Sequence, residues 1–297
     1  MRIRGSILQS KVKIDRGFKT QASSPTKSLD AALRGLEKSQ AAPVNHQGRN
    51  LLLKRVRSPQ FERPATSFLV EFGAMGSLFC EDDPVTQSIA GGGTEIWGQE
   101  FAEAKGQKRI QRDLARRAEQ LCDRKALLDL FFNHVSNEHL RVLRTDSFGL
   151  WHALRIAQEE PRLLVGFNRI MVTSPFIALH AGDRLDFKSF YKGHEVIFGE
   201  IQNDIPALAN IPCIFSWLIP QLDVVCDFSA TKKAYGKMPV NRRSALVFHR
   251  ANHRLQLTDD NPDASIFLEI LPSLLRGKLP PPNAEAFTCL QGEAIIP

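Results

Sequence analysis

The chain has 297 residues, 43% of them hydrophobic, and a formal net charge of +7 at pH 7. That apolar content is enough to bury a large core. No window approaches the roughly 20 uninterrupted apolar residues that a membrane-spanning helix needs, and the N-terminus lacks the apolar run of a secretory signal peptide.

The positive charge is concentrated at the N-terminus. Residues 1–63 contain fourteen Lys or Arg and four acidic residues, a net charge of about +10, so everything after Arg63 carries about −3. Since polar residues dominate this stretch, its burial cannot offset the entropy of ordering it. We predict a disordered basic arm over 1–63, with Leu51, Leu52 and Leu53 docking it onto the body.

Three functions fit such an arm. A flexible cationic arm binds nucleic acid by wrapping the phosphates, whereas the same composition is typical of targeting or export segments. An inert solubilising tail is the third alternative. Cations and apolar residues alternate with period two at 2–4 and 11–14, which disfavours the amphipathic helix of an organelle transit peptide.

From Pro64 the pattern predicts a folded body. The run SFLVEFGAMGSLF, starting at Ser67, predicts one or two buried strands, and a loop with Gly91, Gly92 and Gly93 follows. A helix over 96–132 is predicted next, the longest regular element. One face of it is basic and lies opposite an apolar face. The basic residues are Lys105, Lys108, Arg109, Arg112 and Arg116.

This basic face matches the spacing of charge on a phosphate backbone. The alternative is a solvated face whose cations pair with Glu119 and Asp123. Together with the arm, the face favours binding of a polyanion, DNA or RNA.

Shorter elements are predicted beyond the long helix. Two helices are predicted over 134–143 and 148–159. Strands are predicted in LLVGFNRIMV, FIALH, RLDFKSF and EVIFGEI, between 163 and 201, the last two as a hairpin, and at 245–248. The run 211–225, interrupted by Asp223, is interpreted as core. A helix over 264–275 and an extended tail over 280–297 complete the chain.

Helices first and strands later predict an α+β fold, in which the helical middle section packs on a mostly antiparallel sheet built from 163–250. The predicted organisation is a disordered basic arm (1–63), one globular domain (64–279) and an extended tail (280–297).

Catalytic signals are weak. Asp186 and Glu200 fall on the two strands of the predicted hairpin, as in metal-dependent nucleases of the restriction-enzyme type. Gln202 occupies the place where those enzymes usually have a lysine, and such loose spacing often arises by chance. These three residues are the weak catalytic candidates.

Metal signals are weak as well. On a helix, His249 and His253 would share one face and form a candidate metal site, although neighbouring arginines oppose a cation there. No CxxC pair and no P-loop occur. The five cysteines are interpreted as buried free thiols in a reducing compartment, and nothing local marks Cys213 or Cys226 as a nucleophile.

No stretch resembles a known family closely enough to transfer residues. The leading hypothesis is a polyanion-binding protein that uses the arm and the basic helix face. The alternative is an exported effector or imported enzyme, whose arm engages secretion or targeting machinery and whose site lies in the C-terminal half. A cytoplasmic or delivered protein, independent of disulfides, fits both hypotheses, and the sequence identifies no cofactor.

Overall fold

The computed structural model of the chain describes residues 42–57, 65–73, 83–100, 116–178, 195–253, 255, 263–293 and 295. Nine strands in these residues pair into one sheet. They are β1 (Ala42–His46), β2 (Arg49–Val56), β3 (Ser67–Phe72), β4 (Thr94–Glu100), β5 (Leu140–Asp146), β6 (Arg169–Thr173), β7 (Ile214–Pro220), β8 (Arg243–Phe248) and β9 (Phe287–Gln291).

Helices cover both faces of this sheet. The described α-helices are α1 (Pro84–Gly91), α2 (Arg117–His134), α3 (Gly149–Glu159), α4 (Arg162–Val165), α5 (Glu195–Ala209), α6 (Phe228–Gly236) and α7 (Ala264–Leu275). One apolar core lies between the sheet and α2, α3, α5 and α6. A second core lies on the opposite face, beneath α1 and α7.

The order of the strands is β1-β2-β4-β3-β5-β6-β7-β8-β9. All pairs from β4 across to β8 are parallel, and antiparallel pairs occur only at the two ends of the described sheet. The predicted α+β fold with a mostly antiparallel sheet is therefore wrong. The described chain is a three-layer α/β structure, with helices on both sides of a mostly parallel sheet.

The prediction of the sheet from sequence was wrong because helices cover the central strands on both faces. Parallel strands of this kind have continuous apolar runs rather than alternating patterns, and every residue of β6 is buried. Such short runs do not distinguish a strand from a buried helix. EVIFGEI, predicted as a hairpin strand, belongs to α5, where Ile197, Ile201 and Ile205 recur at the spacing of one helix face.

The predicted long helix over 96–132 is also wrong in its first part. Residues 94–100 form β4, residues 101–115 lie outside the described part, and α2 begins only at Arg117. The helix predicted over 134–143 is replaced by the end of α2 and the start of β5. The predictions for 148–159, 245–248 and 264–275 are confirmed by α3, β8 and α7.

The second half of the predicted arm is part of the sheet. Strands β1 and β2 form a hairpin that pairs with β4, and Leu51 and Leu53 are fully buried while Leu52 between them is exposed. This alternation is that of a strand covered on one face. Residues 1–41 lie outside the described residues.

Cations of this hairpin are neutralised by acids of the body. Arg49 Nε lies 2.6 Å from Asp123 Oδ1, and Arg55 Nη2 lies 2.6 Å from Glu95 Oε1. Part of the positive charge of residues 1–63 is therefore balanced within the fold by acidic residues of the body.

At the other end of the chain, β9 lies in the predicted extended tail and pairs antiparallel with β8. None of the described helices is long and apolar enough to cross a membrane. Four of the five cysteines are described, and all four are free thiols.

Candidate active site

A strained serine lies at the point where β5 turns into α3. Ser147 has φ +50°, a conformation that costs a non-glycine residue about 1–3 kcal/mol. Its N–H donates to the carbonyl of Thr173 at the end of β6, at 3.0 Å. A sharp strand-to-helix turn of this kind projects the serine hydroxyl from the edge of the sheet.

The turn depends on a glycine two residues later. A Cβ on Gly149 would lie 1.9 Å from the carbonyl oxygen of Phe72, the last residue of β3. Only glycine therefore lets α3 start this close to β3. The local sequence, Thr145-Asp146-Ser147-Phe148-Gly149, keeps the serine and second glycine of G-x-S-x-G.

A histidine from another loop contacts this serine. His253 follows β8, and its Nε2 lies 2.9 Å from Ser147 Oγ. The loop is tied to the one after β7, because the N–H of Leu222 donates to the carbonyl of Ala251 at 2.9 Å. The hydroxyl can thus donate to an imidazole held in place by its own loop.

An aspartate completes the chain of hydrogen bonds. Asp223 follows β7, is buried, and its Oδ2 accepts a bond of 2.8 Å from His253 Nδ1. Its Oδ1 accepts from the N–H groups of Val225 and Cys226 at 2.7 and 2.8 Å. With Oδ1 fixed by two amides, Oδ2 can hold only one imidazole tautomer, the one with its proton on Nδ1.

Together these groups form a nucleophile, a base and an orienting acid. His253 Nε2 can take the proton of Ser147, while Asp223 stabilises the imidazolium that results. The three residues come from loops after β5, β7 and β8, and so meet at the carboxyl edge of the parallel strands. The arrangement can carry out acyl transfer through a covalent serine intermediate.

A cysteine also contacts this histidine. Cys226 Sγ lies 3.7 Å from His253 Nδ1. Burial, with added repulsion from Asp223, raises the pKa of the Cys226 thiol well above its usual range. Burial likewise raises the pKa of Cys213 to about 12. Both thiols therefore stay protonated, which favours Ser147 as the nucleophile.

Buried charges brace the strands below Ser147. Arg144 Nη1 lies 2.9 Å from Glu71 Oε1 on β3, and Nη2 lies 3.8 Å from Asp146 Oδ1. Burial raises the pKa of Glu71 to about 7, against the opposing attraction of Arg144. Arg124 on α2 donates to the Glu71 carbonyl at 2.9 Å. The ends of β3 and β5 are thereby held in register beside the serine.

Aromatic side chains line the same region. Phe148 stacks on Trp151 with ring centroids 5.6 Å apart and meets Phe176 edge-on at 6.1 Å. Phe176 lies 4.7 Å from Phe198 of α5. The structure around Ser147 is therefore apolar on the side of α3 and α5.

The three nuclease candidates predicted from sequence do not lie on a described pair of strands. Glu200 lies in α5, not in a strand, and accepts a hydrogen bond of 2.8 Å from Trp151 Nε1. Gln202 lies on the same helix, whereas Asp186 lies outside the described residues. The second strand of the predicted hairpin is thus replaced by a helix, whereas the first strand, 184–190, lies outside the described residues.

The two candidate metal histidines follow β8 in a loop, not on a helix. His249 donates to Gln221 Oε1 at 2.8 Å and accepts from Thr288 at 3.0 Å. His253 instead binds Ser147 and Asp223. The interpretation as a pair on one helix face is wrong, although one of its members is the central residue of the site.

Of the predicted basic face, only Arg116 is described. It precedes α2 and pairs with Glu119, at 2.8 Å from Nε to Oε2. Lys105, Lys108, Arg109 and Arg112 lie outside the described residues. The pairing of Arg116 is the one expected of a solvated face.

Sequence reasoning missed Ser147 and Asp223 entirely. The available signal was Ser-x-Gly between an apolar run and a helix, but Thr145 replaces the first glycine of the motif. Thr145 is fully buried, and its hydroxyl donates to the carbonyl of Met171 at 3.4 Å. The serine and the histidine are 106 residues apart in the chain, so no local pattern joins them.

Three solved structures with similar folds are hydrolases. An esterase from Pyrococcus furiosus superposes with a TM-score of 0.55 at 14% identity, over 81% of this chain and 93% of its own. A monoglyceride lipase from Saccharomyces cerevisiae gives 0.54 at 11% identity, over 80% and 95%. A monoacylglycerol lipase from Paleococcus ferrophilus gives 0.52 at 10% identity, over 77% and 99%.

No protein-family model matches the sequence, and no curated protein is significantly similar to it. The fold shared with esterases and lipases overturns the interpretation as a DNA- or RNA-binding protein. The alternative, an N-terminal segment that engages secretion or targeting machinery, stays a prediction, although residues 42–46 and 49–56 of that segment form β1 and β2 of the sheet. The chain has the α/β-hydrolase fold.

Proposed function

We propose that this protein is a serine hydrolase that cleaves carboxylic esters. The observation that carries the proposal is the continuous hydrogen-bond chain from Ser147 Oγ through His253 to Asp223, with heavy-atom distances of 2.9 and 2.8 Å. The strained turn at Ser147 supports it, because strain of this kind persists where the surrounding structure fixes a functional group.

The reaction has two halves. Ser147 Oγ attacks the carbonyl carbon of the ester while His253 Nε2 takes the hydroxyl proton. The tetrahedral intermediate collapses, the proton passes to the departing alkoxide, and an acyl group remains on Ser147. Water then attacks the acyl carbon, again losing a proton to His253, and the carboxylic acid leaves as Ser147 recovers its proton.

The negative oxygen of each intermediate needs backbone donors. In enzymes with this turn they are the N–H of the residue after the serine and one from the segment after the third strand. Here the first is Phe148, at the amino end of α3, where N–H groups lack intrahelical partners. The segment after β3 is described as far as Gly73.

Two observations favour esters with apolar acyl groups. The aromatic side chains of Phe148, Phe176 and Phe198 cluster beside the serine turn. The similar structures named above are an esterase and lipases of monoglycerides.

The proposal predicts opposite outcomes for two histidines of one loop. His253→Gln should lower kcat for hydrolysis of p-nitrophenyl butyrate by at least about 10³-fold, because the general base is lost. His249→Gln should retain activity within about twofold, since the hydrogen bonds of the His249 side chain go to Gln221 and Thr288 rather than to Ser147 or Asp223.

The measurement is initial-rate kinetics on full-length protein, with thermal melting to show that both variants fold. Equal activity of the two folded variants would contradict the proposal, and so would a lack of ester hydrolysis by the wild type across short and medium acyl chains.

A further inference from the structure

The histidine of the site has one polar neighbour more than the hydrolytic chemistry requires. His253 Nδ1 donates to Asp223 Oδ2, and Cys226 Sγ lies 3.7 Å from the same nitrogen. The carboxylate oxygen, the sulfur and the ring nitrogen all lie within 4.8 Å of one another. Acyl transfer uses the carboxylate, but it assigns no role to the sulfur.

These three atoms suit a tetrahedral Zn²⁺. Zinc bonds of roughly 2.0–2.3 Å place neighbouring ligand atoms about 3.3–3.8 Å apart. The nitrogen-to-sulfur distance of 3.7 Å already lies in this range. The nitrogen-to-oxygen distance of 2.8 Å has to open by about half an ångström. A small rotation of the imidazole, the more exposed of the two side chains, would provide this opening.

The local structure orders two of the ligands in advance. Asp223 and Cys226 lie on one turn of the loop after β7, and the amides of Val225 and Cys226 hold the other carboxylate oxygen of Asp223. Such outer bonds orient metal ligands in known sites. The Asp223 side chain is 4% exposed, whereas His253 retains 17%, so an ion would enter past the imidazole.

We propose that Asp223, Cys226 and His253 form a binding site for a thiophilic divalent cation, of which Zn²⁺ is the best fit. We further propose that the bound ion blocks ester hydrolysis. The inhibitory part rests on the proposed function. Binding of zinc at Nδ1 leaves the single proton of the neutral ring on Nε2, while the thiol proton leaves to solvent. Protonated Nε2 cannot accept the proton of Ser147, so the nucleophile is not activated.

Direct binding tests the site without reference to catalysis. Calorimetric titration of the full chain with ZnCl₂ should show one site that Cys226→Ala and Cys226→Ser weaken by at least about tenfold, since even outer-shell partners are worth about 10–100-fold in affinity. The controls are Cys122→Ser, which removes an exposed thiol, and His249→Gln. Zinc affinity unchanged in both Cys226 variants would overturn the site.

A second probe covers the case in which substitution of Cys226 impairs folding. Cd²⁺ bound to wild-type protein should produce the ultraviolet absorption of a cadmium–thiolate bond, which His253→Gln weakens and Cys122→Ser leaves intact. Mg²⁺ should not compete, because it prefers oxygen ligands. Absence of the cadmium band from folded wild type, or its loss in Cys122→Ser alone, would also overturn the site.

Inhibition separates this inference from the proposed function. ZnCl₂ should inhibit ester hydrolysis reversibly, EDTA should restore the rate, and the half-inhibitory concentration should rise at least about tenfold in Cys226→Ser, relative to its own zinc-free rate. Zinc binding that depends on Cys226 in a protein without esterase activity would leave the site standing and remove the proposed function. Esterase activity in a protein whose zinc binding does not depend on Cys226 would support the proposed function and remove the zinc site.

Discussion

Replacement of Ser147 by alanine is expected to abolish ester hydrolysis almost completely, with kcat reduced by about 10⁴-fold or more. Among the described residues, the hydroxyl of Ser147 is the group placed to form the acyl intermediate. Loss of a triad nucleophile leaves only the catalysis that comes from substrate binding and the oxyanion donors. The fold should persist, because the N–H of Ser147 still donates to Thr173. The measurement is kcat with p-nitrophenyl butyrate, alongside thermal melting.

Ser136→Ala is the matched control for this experiment. Ser136 is exposed and lies in the connection between α2 and β5, at the opposite edge of the sheet from Ser147. Its variant should keep the wild-type rate. A folded Ser147→Ala protein that retains more than a few per cent of the wild-type kcat would show that another group carries the reaction.

Asp223→Asn is expected to lower kcat by about 10⁴-fold with little change in fold. The amides of Val225 and Cys226 both donate to Oδ1, so the asparagine must keep its carbonyl oxygen there and turn its NH₂ toward His253. The imidazole then accepts at Nδ1 and carries its proton on Nε2. In that tautomer it cannot take the proton of Ser147.

Asp227→Asn provides a control four residues away. Asp227 caps α6, with its Oδ1 accepting from the N–H of Ala230 at 2.8 Å. Asparagine caps helices about as well as aspartate, so the stability and the rate should both be near those of the wild type. A similar rate loss in both variants would indicate general damage to the loop after β7 rather than a wrong tautomer.

The elements that the sequence predicts correctly are those with periodic patterns and clear ends. Helix α7 has an amphipathic pattern and a glycine after it, Gly277, with φ +80°. Helix α3 stops before Pro161. Among the parallel strands, β8 falls on a predicted strand, whereas β4, β5 and β7 do not, because burial on both faces removes the alternation by which strands are identified.

The concentration of positive charge in residues 1–63 is a real feature of the sequence, but the function inferred from it, polyanion binding, is wrong. A segment with net charge of about +10 looks like an arm for a polyanion when considered alone. In the folded protein, Arg49 and Arg55 instead form ion pairs with carboxylates of α2 and β4. These pairs join residues 74 and 40 positions apart, so a count of local charge cannot anticipate them.

The residues of the candidate active site can be identified as partners only from the tertiary structure. Asp223 interrupts an apolar run and gave no signal beyond that, while His253 lies 30 residues further along and entered only as a metal candidate. Their proximity follows from β7 and β8 being neighbours in a parallel sheet, whose carboxyl ends share one edge. Once the strand order is known, the loops after β5, β7 and β8 are where a catalytic group is expected.

The most direct test of the central claim is covalent labelling of the nucleophile by a fluorophosphonate. Ser147 Oγ should attack phosphorus and expel fluoride as His253 takes the proton, which gives one adduct per chain. Mass spectrometry should locate it on the tryptic peptide 145–155, where Ser147 is the only serine. Ser147→Ala should remain unlabelled, and His253→Gln should label far more slowly. A folded wild-type protein that takes up no label, or carries it at another residue, would contradict the account.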